Sequence, residues 1–365
     1  MVPSRRTLLA GLGALLLPVP PSLAVPLTGR EEPAFVTARR TAAGGFDMAI
    51  LGPSGKVLYS HRIDARGHSA AVRREPRTAV VFARRPGRFA LAVDVETLTV
   101  EALFAPPADR LFEGHGFFSA DGKVLFATEN DFDAERGVLG MYDATGGFAR
   151  IGEIPTYGIG PHEALLMRDG RTIAVANGGI ITHPDYPRQK LNLPDMQPNF
   201  TLIDANSGDL LGEAQLPKDY YQLSLRHMAE AAPGVVWFGG QYEGPKTDRL
   251  SLIGTFDAGR GLTLNDADLD AMAHMDRYVG SVAVTPDGET VITTSPPGGV
   301  FLEWDAATRR MRRMHEAADV AGTASAPAGY AVTTGTGVFE LSDGTGSQSD
   351  AAFDNHLVPI PPRAG

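Results

Sequence analysis

Short apolar runs bounded by turn residues, without a sustained helical period, dominate the chain. The strongest of them align with one another: Thr78 to Ala83, Val124 to Thr128, Thr172 to Ala176, Val235 to Phe238, Val291 to Thr294 and Tyr330 to Thr334. Their length and their β-branched and aromatic content mark them as strands. Each follows a weaker apolar strand and a turn such as Ala120-Asp121-Gly122 or Arg168-Asp169-Gly170. Each precedes a third strand that ends in an acidic turn, as at Asp94-Val95-Glu96-Thr97, Asp143-Ala144-Thr145-Gly146, Asp204-Ala205-Asn206 and Asp305-Ala306-Ala307.

A histidine marks the opening of four of these repeats, in Gly67-His68-Ser69, Gly114-His115-Gly116, Pro161-His162-Glu163 and Arg226-His227-Met228. Successive spacings are 47, 47 and 65 residues, the last lengthened by a proline-rich insertion at 181–199. A four-stranded period of this length is that of a propeller blade. Blades are expected to start near His68, His115, His162, His227, Ser281 and Gly322, with a seventh split between the chain ends. Pro33 to Arg40 matches Thr78 to Arg85, a second strand, down to its Ala-Arg-Arg ending. The first strand that it lacks is supplied by Asn355-His356-Leu357-Val358-Pro359-Ile360, which puts His356 in register with the other four. Pairing the two ends removes free sheet edges. The expected fold is therefore all-β, one seven-bladed propeller of four-stranded blades over residues 25–365, with a short surface helix at 265–276.

Composition adds location and constraint. The 42 Gly and 27 Pro suit many strands joined by turns. Ser4-Arg5-Arg6-Thr7-Leu8-Leu9, an apolar run to Leu17 and Ser22-Leu23-Ala24 form a twin-arginine export signal over residues 1–24, and so imply a periplasmic protein. The apolar run is about half of the roughly 20 residues that a membrane span needs. Losing Arg5 and Arg6 takes the net charge from −10 to −12, which makes nucleic acid a poor partner. With no cysteine, any metal must be held by histidine, carboxylate, amide or methionine. A monomer is expected.

In a propeller the first strands line the central channel, so His68, His115, His162, His227 and His356 should converge at one mouth. Neutral imidazoles are good ligands for copper, zinc, iron and nickel, and a ring of them without thiolates suits a borderline transition metal. Glu129 and Glu163 are candidates for a general base or for orienting a histidine ligand. Arg39, Arg40, Arg84, Arg85, Asn130, Asp131, Asn177, Arg226 and Gln241 are rim candidates, the arginines for an anionic substrate. His183 and Asp185 in the insertion are placed to act as a lid. A competing reading makes the histidines a structural belt, each bonding a backbone group of the next blade as the Gly-His pair of WD-type propellers does. His61, His274 and His315 fall outside the register. The sequence contains no nucleophile elbow, zinc-protease helix or phosphate-cradling glycine loop. Three functions remain open: metal binding in acquisition or redox handling, a lactonase-like metal-dependent hydrolase or oxidoreductase, and a protein-interaction scaffold.

Several motifs together, Gly114-His115-Gly116-Phe117-Phe118-Ser119, Thr128-Glu129-Asn130-Asp131, Gly158-Ile159-Gly160-Pro161-His162-Glu163, Asn177-Gly178-Gly179-Ile180, Thr182-His183-Pro184, Leu225-Arg226-His227-Met228 and Asp354-Asn355-His356-Leu357, resemble the bacterial exported family termed domain of unknown function 1513. The resemblance covers nearly all of the chain after the signal. It implies a YVTN-like propeller in the periplasm, with periplasmic metal-uptake or di-haem proteins as partners, and tilts the metal towards copper or iron. It brings no catalytic residues with it.

Overall fold

The computed structural model describes residues 31–85, 87–186 and 189–363; the export signal expected at 1–24 lies outside them. Seven four-stranded antiparallel sheets form the blades of a propeller. Their innermost strands are Ala352–Pro359 (blade 1), Gly67–Arg73 (blade 2), Arg110–Phe118 (blade 3), Pro161–Leu166 (blade 4), Leu223–Ala232 (blade 5), Ser281–Val284 (blade 6) and Val320–Ala326 (blade 7). Each packs against the next around the ring, and that of blade 7 packs against that of blade 1.

Burial explains why the second strands were the most legible. Thr78–Ala83 is buried at every position, because neighbouring blades cover both of its faces. The outermost strands read differently: in Leu210–Gln215 exposed and half-buried positions alternate from Leu211 onward, as in a rim strand. Between blades 2 and 3, Val80, Phe82, Phe112, Leu125 and Tyr142 interlock in one apolar layer. Trp237 and Trp304 meet in the corresponding layer between blades 5 and 6. The acidic turns have a local cause, since the carboxylate accepts backbone N–H groups two and three residues on. Asp94 takes those of Glu96 and Thr97, Asp204 those of Asn206 and Ser207, and Asp305 those of Ala307 and Thr308.

Closure follows the expected split. Phe35–Arg40 pairs with Phe46–Leu51 on one side and with Ala352–Pro359 on the other, with Val36 opposite Val358 and Thr37 opposite Leu357. Phe353 and Leu357 bury against Phe35, Leu51 and Phe339, so the closing strand carries core as well as backbone hydrogen bonds. The expected surface helix is a shorter element, a 3-10 turn at Asp266–Asp268 running into Leu269–Ala273. Its Ala271 and Met272 are buried against blades 5 and 6, so the segment belongs to the core on one side. Among the described residues no helix is long and apolar enough to cross a membrane.

Candidate metal centre

Histidine placement depends on breaks in strand register. The innermost strands of blades 3, 5 and 1 begin several residues before His115, His227 and His356, so these histidines do not open their strands as the repeat pattern suggested. Pairing shifts between Gly67 and Ala70, Phe112 and Gly116, Pro161 and Glu163, and Leu225 and His227; in blade 1 it shifts between the partners of Thr37 and Arg39. Each histidine therefore lies in or at the edge of a β-bulge, the device that lets a strand continue while re-aiming one side chain. Gly114 shows how tightly this is built: it has φ +100°, and a Cβ there would stand 2.5 Å from His68 Cδ2.

The five imidazoles meet in one buried cluster. His68, His162, His227 and His356 form a quadrilateral with ring-centroid sides of 5.6, 4.8, 4.6 and 4.7 Å. His115 touches all four, at 4.9, 5.0, 5.5 and 4.7 Å. Two ligand triads share it, His68-His115-His162 and His115-His227-His356, with ring nitrogens within 4.8 Å of one another in each.

Among the described residues the five rings make a single side-chain hydrogen bond, between Arg226 Nη1 and His162 Nδ1 at 3.4 Å. His68 Nδ1, His115 Nε2, His162 Nε2, His356 Nε2 and both nitrogens of His227 are buried without a partner. Burial, and after it the neighbouring imidazoles and Arg84, push His68 and His356 well below the usual histidine pKa. For His162 burial is followed by the Arg226 guanidinium, and His227 is lowered to about 3 by burial, Arg226 and Arg84. His115 is lowered by burial against the opposing pull of Glu163. All five are thus neutral at physiological pH; the His162 Nδ1 lone pair accepts from Arg226, while each of the other four rings keeps one lone pair free for a Lewis acid. Ligands of one tetrahedral ion at about 2.1 Å stand roughly 3.4 Å apart, so binding requires the rings to draw in slightly.

The cluster separates two vestibules. His68 and His162 face a mouth of about 320 Å³ lined by Arg84, Arg85, Glu113, Arg226, Gln241 and residues of the insertion. His115, His227 and His356 face the opposite one, about 380 Å³, where Glu163 lies. Glu163 Oε1 is 3.7 Å from His115 Nδ1 and its Oε2 is 3.4 Å from His227 Nδ1. The neutral His227 nitrogen is close to the carboxylate but is not aimed for a hydrogen bond. Met228 N–H donates to the same carboxylate at 3.0 Å. Burial raises the Glu163 pKa, and His115 counteracts that rise.

The structure brings the rim candidates together only in part. Arg84, Arg226, Gln241 and His183 line the first mouth. Asn130 supports the insertion, its Nδ2 donating to Thr182 O and Oγ1. Asn177 Nδ2 donates to Thr156 O, and the residue is fully buried. Arg39 forms a buried bidentate pair with Asp47 in blade 1, and Asp131 pairs with Arg110 and Arg136. Glu129 lies within blade 3, where its carboxylate accepts from Tyr142 Oη and Arg150 Nη2. Its charge is spent on holding strands rather than on the channel. The insertion is pinned by Asn192, which accepts from Ile181 N–H and donates to Gly179 O. Its Thr182, His183, Pro184 and Lys190 form one wall of the mouth. His183 Nδ1 accepts the Asp185 N–H, while Asp185 itself is exposed. Sequence reasoning missed Glu113, Lys190 and Tyr278 at this mouth. Glu113 immediately precedes the Gly114-His115 pair and was the nearest to a readable signal. His61, His274 and His315 stay outside the cluster, His315 stacking on Phe301 and bonding Glu303.

A seven-bladed propeller with a channel closed by five bulge-borne histidines is the class that this fold and site define. The chain belongs to the family described as "Protein of unknown function (DUF1513)", whose model matches residues 61–360. No curated protein sequence matches it. Among solved structures it is similar to the Kuenenia stuttgartiensis hydrazine synthase, at 12% identity and TM-score 0.61 over 83% of this chain and 92% of that one. It is also similar to the β-propeller domain of Myceliophthora thermophila Cps50 (Swd1), at 13% identity and TM-score 0.57 over 84% and 94% of the two chains. At such identities the likeness is one of fold.

Proposed function

We propose that this is an exported, periplasmic protein that binds copper or iron at the histidine cluster and serves metal acquisition or redox handling. One observation carries the reading: six buried imidazole nitrogens without partners, on five rings in mutual contact. An unsatisfied buried polar group costs about 1–3 kcal/mol, so this arrangement is expensive unless a ligand resolves it. The structural-belt reading requires these same nitrogens to bond backbone groups of neighbouring blades, and among the described residues they do not. Glu163, reaching His115 and His227 from the far vestibule, is placed to fix their orientation once they are ligands. The twin-arginine signal and the family resemblance support export and partnership with metal-uptake or di-haem proteins.

A catalytic form of the same reading rests on Glu163 and the cavity beside the cluster. Glu163 would serve as base to a metal-activated water in a hydrolase or to a substrate proton in an oxidoreductase.

Elemental analysis of the untagged protein, exported natively and purified without chelator, tests the proposal beside a His115→Ala/His162→Ala variant. Near-stoichiometric copper or iron that disappears in the folded variant is expected. A metal-free protein that also fails to take up added copper, iron or zinc would overturn it.

A further inference from the structure

The mouth beside His68 and His162 is unbalanced in charge. Arg84, Arg85, Arg226 and Lys190 line it, against Glu113 as the sole lining carboxylate among the described residues. Two more carboxylates reach these cations from behind: Glu243, 2.5 Å from Lys190 Nζ, and Asp354, which is bonded to Arg66. Even with Arg66 counted, five cationic side chains face three carboxylates.

Unused hydrogen-bond donors accompany the surplus charge. Arg226 is buried, its Nε has no acceptor, and its Nη2 stands 3.8 Å from Glu243. Arg84 makes no side-chain hydrogen bond among the described residues and comes no nearer than 4.0 Å to Asp354. The Tyr278 hydroxyl accepts from Asn355 Nδ2 at 3.0 Å, and its own proton has no acceptor among the described residues. Gln241 adds an amide to the same wall. A buried guanidinium left short of acceptors is costly, and an anion in the cavity supplies them.

We infer that this mouth is a binding site for a small polycarboxylate, a short di- or tricarboxylate clamped between Arg84 and Arg226. The guanidinium fork matches a carboxylate bidentately, and a surplus of two charges calls for at least a dianion. Arg84 stands in blade 2 and Arg226 in blade 5, on opposite sides of the channel. Two carboxylates on a short carbon chain span that gap better than one compact phosphate does. The cavity holds roughly ten water volumes, which fits such a molecule. The site calls on no bound metal, so titration of metal-free protein tests it apart from the proposed metal centre.

Calorimetric titration of metal-free protein, with all chelator dialysed away, tests it using citrate, succinate and inorganic phosphate as probes. Citrate is expected to bind saturably at one per chain, about tenfold tighter than phosphate, and to weaken with added salt. Arg84→Gln and Arg226→Gln should each weaken citrate about tenfold or more. Arg84 is on the rim with its side chain 38% exposed, so Arg84→Gln decides the matter even if the buried Arg226→Gln does not fold. Three results would overturn the inference: no saturable heat with citrate up to about 10 mM, citrate affinity unchanged in Arg84→Gln, or phosphate binding as tightly as citrate.

Discussion

Replacing His227 by leucine separates a ligand from a structural residue. Both nitrogens of His227 are buried without a hydrogen-bond partner, and its pKa is lowered to about 3 from an ordinary 6.5. Because the folded value lies below the unfolded one, the unfolded chain takes up the proton first. Stability is therefore whole above pH 6.5 and falls as the pH drops from there towards about 3. Between pH 7 and pH 5 this single group removes about 2 kcal/mol. The other four histidines act in the same direction. Glu113 and Glu163, whose pKa values are raised by burial, act in the opposite one, and both are present in the variant too. Leucine fills a similar volume without polar atoms, so the metal-free variant should be at least as stable as the natural protein at pH 7. At pH 5 it should lead by roughly 2 kcal/mol more. Urea unfolding followed by the fluorescence of Trp237 and Trp304, both fully buried, reads the difference. Copper at about 100 times its Kd should add about 2.7 kcal/mol to the natural protein and less to the variant, which keeps only the His68-His115-His162 triad, and so narrow or reverse the variant's lead. A natural protein more stable than the metal-free variant at pH 7, by a margin that does not narrow at pH 5, would refute the reasoning.

Glu163→Gln removes the carboxylate beside His115 and His227 but keeps an acceptor for Met228 N–H; copper affinity should fall about 10–100-fold in a chelator competition, with little change in unfolding midpoint. Glu129→Gln breaks a buried pair with Arg150, which retains Glu153. It should cost about 2–3 kcal/mol in urea and leave metal content unchanged, the opposite pattern to Glu163→Gln. Deleting residues 352–363 strips the inner strand from blade 1 and bares the edge of Phe35–Arg40, so size-exclusion chromatography should show aggregate in place of a discrete species.

The fold was legible because blade packing imposes itself on composition. Second strands such as Thr78–Ala83 and Val235–Phe238 are covered on both faces and must be apolar, and the Asp turns recur because the same side-chain hydrogen bond recurs. The five histidines were legible from register, and the terminal closure from the Ala-Arg-Arg ending of a second strand. What the sequence withheld was direction. Glu129 and Glu163 are equally acidic neighbours of strong strands, yet one is consumed by Tyr142 and Arg150 inside a blade and the other reaches the cluster. That difference turns on which face of the sheet each side chain takes, and a bulge beside His162 resets the count for Glu163. The cationic mouth was legible only in part, because Lys190 comes from an insertion without periodicity and Tyr278 from a connection outside the repeat.

Five histidines on seven blades also pose a geometric question, which blades 6 and 7 answer. Ser281 and Gly322 hold the remaining two channel positions. A Cβ on Gly322 would stand 2.9 Å from Leu357 N and 3.1 Å from the His356 carbonyl carbon, so that blade approaches the closing strand by backbone alone. A histidine there would push away the strand that carries His356. Gly114 plays the same part beside His68, whose ring occupies the space where a side chain would be. The cluster is thus asymmetric by necessity: imidazoles from blades 1 to 5 fill the axis because two glycines let their neighbours close in. Belt histidines that tied each blade to the next would need neither this crowding nor rings turned towards one another. Rings that share a guest, as the proposed metal site does, need both, and among the described residues six of their nitrogens are buried without a partner.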